Sequence, residues 1–206
     1  MLRKARIAVL VSGGGTNLQA LLDAQASGAL HSGEIVAVIS SKPDVYALTR
    51  AASAGVPGFV AARKDCASQA EFEEKISTLL REQQVDLIIL AGFMSILSAD
   101  FTSRWPERII NVHPALIPSF CGKGAYGLRV HEMALEYGVK VTGATVHFVN
   151  EIPDGGKILL QKAVDILPDD TAETLQRRVM EQAEWILLPQ AAEMVSAALM
   201  NEKENA

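Results

Sequence analysis

Cysteine is scarce in this chain: Cys66 and Cys121 are the only two among 206 residues. Two thiols so far apart form neither a CxxC metal site nor a disulfide framework. That usage fits a reducing, cytoplasmic compartment. An excess of positive charge is also missing. Lys and Arg total 19 against 24 Asp and Glu, for a net charge of -5. This excludes a general affinity for nucleic acid or for an anionic membrane, although a few local basic groups can still hold one phosphate. No apolar run approaches the roughly 20 residues needed to span a bilayer. The opening Met-Leu-Arg-Lys-Ala-Arg is basic like a signal segment. The apolar run behind it, Ile7 to Val11, is too short for one and ends in glycines. Repeats, low-complexity tracts and linkers are absent as well, so residues 1–206 read as a single domain, with a polar tail at about 200–206 that should fray.

What is present is an ordinary globular composition, 49% hydrophobic and 21% charged, enough to bury a core without covalent staples. Ile7-Ala-Val-Leu-Val11 reads as a buried strand, and Asn17 to about Ser27 as a helix with Leu18, Leu21 and Leu22 on one face. Glu34 to Ser40 is a second strand. Asp44 to Ala54 is helical, and so is Ser68 to Gln84, with Phe72, Ile76, Leu79 and Leu80 on one side. Asp86 to Leu90 and Ile109 to His113 are further strands. This alternation predicts an α/β fold: a Rossmann-like, mostly parallel open sheet covered on both faces. After about residue 140 the pattern changes. Val141 to Val149 and Lys157 to Val164 flank a Pro-Asp-Gly-Gly turn and read as antiparallel strands near the C-terminal part. A last helix is expected over about Thr171 to Leu199, with Asp170 as N-cap and Glu173 three residues on.

Ser12-Gly-Gly-Gly-Thr-Asn17 joins the first strand to the first helix. Glycines let backbone approach a ligand, and the N–H groups and dipole of a helix start favour a phosphate. The loop is neither a dinucleotide fingerprint, because Leu18 stands where its third glycine belongs, nor a P-loop, because no Gly-Lys-Ser/Thr follows. A lone sugar phosphate fits better; a tight turn that needs glycine for geometry alone is the plainer alternative. Asn111 and His113 alternate onto one face at the end of the fifth strand, with Val112 opposite. An amide and an imidazole there can hold an oxyanion and exchange a proton, or can simply order the loop Pro114 to Pro118. Asp154 sits in an Asp-Gly turn, which is reason enough for it. His147 reads as a satisfied core histidine, His131 as a partly exposed helix residue, and Phe93 and Met94 as packing.

Ser12-Gly-Gly-Gly-Thr-Asn-Leu-Gln19, Leu90-Ala-Gly-Phe-Met94, Asn111-Val-His-Pro114, Thr145-Val-His-Phe-Val149 and Asp154-Gly-Gly156 together resemble the glycinamide ribonucleotide formyltransferases, a branch of the folate formyltransferase superfamily. The likeness runs from about Ile7 to Pro189. It implies transfer of a formyl group from 10-formyltetrahydrofolate, as co-substrate and without a metal, to the amine of glycinamide ribonucleotide in purine synthesis, by a monomer or homodimer. It further implies that Asn111, protonated His113 and Asp154 form the catalytic trio. Gly14, Gly15, Thr16 and Asn17 would hold the substrate phosphate. Met94, Ser95, Ile96, Leu97, Val149 and Asp154 would wall the folate pocket, and Glu184 would bind substrate. The chain departs from the pattern in three places. Ser95 stands where many members have arginine, Trp185 where histidine is usual, and the loop Ser119 to Arg129 is longer and carries Lys123.

Other superfamily enzymes fit less well. A methionyl-tRNA formyltransferase usually has a further C-terminal domain, and a formyltetrahydrofolate hydrolase a regulatory domain before the first strand. A non-catalytic sugar-phosphate-binding module would not need Asn111, His113 and Asp154 together. A dehydrogenase is disfavoured by the broken fingerprint and by Val38-Ile-Ser-Ser, which offers no acid to a ribose.

Overall fold

The computed structural model describes residues 3–204. Its centre is a seven-stranded sheet in the order β3-β2-β1-β4-β5-β6-β7. The strands are β1 (Ala5–Val11), β2 (Gly33–Ser40), β3 (Gly58–Val60), β4 (Leu87–Leu90), β5 (Ile109–His113), β6 (Val141–Phe148) and β7 (Ile158–Asp165). The first five run parallel. β6 and β7 pair antiparallel, as the sequence predicts.

The apolar runs of the parallel strands follow from burial on both faces. Ile7, Val9 and Val11 of β1 enter one core with Leu18, Leu21 and Leu22 of α1 (Thr16–Ser27) and Leu187, Leu188, Ala191 and Ala192 of α7 (Trp185–Glu204). Ala8 and Leu10 enter the other, with Phe72, Ile76 and Leu80 of α3 (Gln69–Glu82) and Phe101 of α4 (Ala99–Ser103). The remaining helices are α2 (Tyr46–Ser53), α5 (Leu128–Tyr137) and α6 (Ala172–Val179). The chain steps outward from β1 to β2 and β3, then returns to the far side of β1 as β4. The carboxyl ends of β1 and β4 therefore flank a topological switch point, where open α/β sheets bind ligands.

The C-terminal region differs from its prediction. One helix was expected, but α6 passes into a π turn, Met180–Glu184, before α7. The cap is Thr171, not Asp170: Thr171 and Thr174 form a reciprocal capping box, while Asp170 is held by the Arg178 guanidinium. The expected fraying tail is helical through Glu204, and Lys203 Nζ reaches Asp86 at 2.6 Å. Asn205 and Ala206 lie outside the described residues. His131 is 1% exposed rather than partly exposed. Neither of its ring nitrogens has a partner, and burial pushes it down to about 4.

Candidate active site

β1 delivers the glycine loop. Gly15 is the N-cap of α1 at φ 74°, with no side-chain cap, so the N–H groups of the first turn remain available. A Cβ at Gly15 would lie 2.7 Å from Ala47 Cβ, which ties the glycine both to its left-handed backbone and to the packing of α2. Beside Gly13 and Gly14 the space is open. Arg50 of α2 shapes the loop by donating from Nε to Gly14 O at 2.9 Å. No motif announces Arg50, and sequence reasoning missed it. Thr16 is exposed, with only a 3.9 Å contact to Met180 sulfur. Asn17 is buried and donates from Nδ2 to Glu184 Oε2 at 2.7 Å, while its own Oδ1 has no partner. Glu184 sits on the π turn, a local widening often found at functional sites. Burial raises it to about 7, with Asn17 opposing.

β5 and β6 deliver the second cluster. Antiparallel register pairs Asn111 with His147 and His113 with Thr145. Asn111 Nδ2 lies 3.2 Å from His147 Nε2, and His147 Nδ1 lies 2.8 Å from Phe148 O. The tautomer with a proton on Nδ1 satisfies both contacts: it donates to the carbonyl and accepts from the amide. Asp154 closes the group, with Oδ2 3.6 Å from His113 Nδ1 and Oδ1 3.6 Å from His147 Nε2. It also accepts from Gly122 N at 2.8 Å. The turn holds Asp154 at φ 57°, braced by Ile152 N on Asn150 Oδ1 at 3.0 Å. Gly156 is required after it, because a Cβ there would overlap the Phe148 carbonyl.

His113 is 4% exposed. Its Nε2 lies 2.9 Å from Phe120 O and its Nδ1 faces Asp154. Two acceptors favour the doubly protonated ring, but burial is the larger influence and holds His113 below its ordinary value, with Asp154 pulling the other way. Burial thus works against the charged ring, while Asp154 and the Phe120 carbonyl work for it. Asp154 is raised by burial, yet His147, His113 and the Gly122 N–H outweigh this and leave it below the usual carboxylate range.

Asn111, His147 and Asp154 line a cleft of about 120 Å³ together with Leu90, Phe93, Ser95, Ile96, Leu97 and Val149. Met94, expected in that wall, is not among its lining residues. Its side chain points out at 50% exposure, and its N–H bonds Ser12 Oγ at 2.9 Å. His147 is the important omission from the sequence reading. It is buried as expected, but as a member of the cluster, and only the β5–β6 register reveals that. Among the described residues no group of three or more His, Cys, Asp or Glu is arranged to hold a metal, and no helix is long and apolar enough to cross a membrane.

A family model described as formyl transferase matches residues 5–191. A phosphoribosylglycinamide formyltransferase from Haemophilus influenzae is 42% identical over 97% of this chain and 91% of its own length. The trifunctional purine biosynthetic protein adenosine-3 of Homo sapiens is 44% identical over 98% of this chain. The chain spans only 14–19% of the length of such trifunctional relatives. Among solved structures, glycinamide ribonucleotide transformylase 1 from Symbiobacterium toebii superposes with a TM-score of 0.88 at 40% identity, covering 95% of this chain and 89% of that one. The family match across most of the sequence, a relative covered almost end to end and the shared sheet topology place this chain in the formyl transferase family.

Proposed function

We propose that the chain transfers a formyl group from 10-formyltetrahydrofolate to the amine of glycinamide ribonucleotide, in the cytoplasm and as a single domain. The observation that carries this reading is the convergence of Asn111, His113, His147 and Asp154 at the end of β5, beside a cleft that Asn111, His147 and Asp154 line, with the glycine loop at the same end of the sheet. Strand order supports a division of labour. The loop after β1, with Gly14, Gly15, Thr16, Asn17 and Glu184, takes the ribonucleotide. The wall formed by Ser95, Ile96, Leu97, Val149 and Asp154 takes the folate, with Met94 contributing backbone anchorage.

In the proposed reaction the amine nitrogen attacks the formyl carbon, and the carbonyl oxygen becomes an oxyanion that the Asn111 amide stabilises. The attacking nitrogen loses a proton to His113, directly or through water, and Asp154 stabilises the imidazolium that forms. Collapse breaks the bond from formyl carbon to N10, and N10 leaves with a proton. The burial that lowers His113 suits this order, since an imidazole must first be free of its proton to accept one. His147 holds Asn111 and Asp154 in mutual register. The donor is already activated, so the route as written calls on no metal.

The test is release of deformylated folate from 10-formyl-5,8-dideazafolate, followed by absorbance. Release that depends on glycinamide ribonucleotide is expected. Release without the amine would instead make the protein a hydrolase, and no release with folate bound would mean a different acceptor.

A further inference from the structure

The sheet order β2-β1-β4 sets three carboxyl ends side by side at the switch point. The last links between them are backbone bonds. Ser41 N donates to Val11 O at 3.0 Å, and Ala91 N donates to Leu10 O at 2.9 Å. Beyond these the connections diverge: the chain after β1 enters α1 on one face of the sheet, and the chain after β4 enters α4 on the other. Ser12, the residue between β1 and the three glycines, bridges the divergence. Its Oγ accepts from Met94 N at 2.9 Å. Among the described residues this is the one hydrogen bond between residues 12–17 and residues 91–97.

The bridging oxygen is itself held. Ser12 is 5% exposed, and its Oγ lies 2.6 Å from Ser41 Oγ, which is also buried. A hydroxyl has two lone pairs and one proton. One lone pair takes the Met94 N–H, and the Ser41 contact uses the proton or the other lone pair. The two ends of the bridge lead into the two halves of the proposed site. Gly14, Gly15, Thr16 and Asn17 follow Ser12 closely in the chain. Met94 stands between Phe93 and Ser95, which line the cleft, and the Phe93 ring stacks on Phe72 of the core at 6.3 Å.

We propose that Ser12 is a positioning residue that sets the spacing between the ribonucleotide loop and the donor wall, and with it the approach of the amine to the formyl carbon. This rests on the formyl-transfer reading above. Reacting atoms have to meet at about 3–3.5 Å in the right alignment. Each ligand's own contacts lie on one side of the bridge, so its loss leaves both binding surfaces intact and loosens their separation. Turnover then falls while affinity holds.

The test compares Ser12→Ala with Ser41→Ala in the full chain. Each variant removes one hydroxyl of the same buried pair, so a general loosening of the core strikes both, and only Ser12→Ala also frees Met94. Amine-dependent release from 10-formyl-5,8-dideazafolate gives kcat at saturation. Calorimetry with each ligand alone gives the two Kd values. Ser12→Ala should lower kcat at least about tenfold, within the hundredfold that roughly 1 Å of misplacement can cost, with both Kd values unchanged. Ser41→Ala leaves the Met94 bond in place and should lose much less. A kcat for Ser12→Ala as high as that of Ser41→Ala, or a loss carried by a weakened Kd, overturns the assignment. Should Ser12→Ala not fold, Ser12→Cys keeps the bulk and offers only a weak acceptor, and the same outcomes decide. Absence of amine-dependent release from the unmodified protein overturns the formyl-transfer reading itself, so the two failures are distinct.

Discussion

Two carboxylates, the half-buried Asp154 and the buried Glu184, shift in opposite directions. Asp154, on the proposed donor side, is pushed up by burial but meets two imidazoles and the Gly122 N–H, and it stays below the usual range. Glu184, on the proposed ribonucleotide side, meets a single donor, Asn17 Nδ2, and burial carries it up to about 7. Glu184 lies deeper, at 6% exposure against a half-buried Asp154, and it also has fewer partners; both differences push it up. In the proposed reaction the donor half thus holds a fixed anion that can stabilise a transient imidazolium. The other half holds a carboxyl poised between neutral and charged near physiological pH, able to donate or to accept a hydrogen bond.

The contrast breaks most visibly at Asp154. Asp154→Asn keeps size and removes the charge, so turnover should fall about a thousandfold, the middle of the range for positioned proton transfer and about 4 kcal/mol of barrier. A second readout shows whether charge is the reason. His113 lies below 6.5 because of burial, with Asp154 opposing. The acid limb of the unmodified protein's rate profile should therefore fall below pH 6.5, and loss of the anion should move it lower still. A variant within tenfold of the unmodified rate, or with an unmoved limb, would remove Asp154 from the proton path.

Glu184 gives the next largest effect, in stability. Its carboxyl shifts from an ordinary 4.5 to about 7 on folding. Between those values the folded state binds more proton than the unfolded one, so stability declines as pH rises from 4.5 to 7 and is constant above. The accumulated penalty is about 3 kcal/mol. Glu184→Gln still accepts from Asn17 and carries no such penalty. It should match the unmodified protein at pH 4.5 in urea unfolding and exceed it at pH 8, while binding ribonucleotide less well. Equal stabilities at pH 8 would show that folding does not raise the Glu184 carboxyl.

The sequence makes one side of this comparison more legible than the other. Strands buried on both faces announce themselves as apolar runs, so β1, β2, β4 and β5 fall where expected. Asn111, His113 and Asp154 were legible through the family resemblance. His147 joins them through antiparallel pairing with Asn111, a relation between segments that no local pattern carries. The short strand Gly58–Val60 and the five-residue helix Ala99–Ser103 are too brief to show a period. The π turn that presents Glu184 is hidden inside an amphipathic pattern whose phase it shifts. Arg50 acts on a backbone carbonyl, a partner that has no sequence signature. Thr171 displaced Asp170 as cap because Arg178 claims the aspartate.

The smallest effect sharpens the comparison with a third carboxylate, at the opposite end of the sheet. Asp86 is pushed up by burial, but the hydrogen bond from Lys203, the Arg6 N–H and the charges of Lys203 and Arg3 hold it below its ordinary 3.8. It follows the Asp154 rule outside the proposed site. Lys203 is about a third exposed, so solvent screens the pair and Lys203→Met should cost no more than about 1 kcal/mol. A depressed carboxylate lends stability above its unfolded value and loses it as pH falls through the folded one. The deficit of Lys203→Met should therefore be present at pH 7 and close as pH falls below 3.8 through the lowered Asp86 value. A deficit unchanged across that range would mean that Lys203 serves the last turn of α7 through packing, and that partner charge does not govern Asp86 as it governs Asp154.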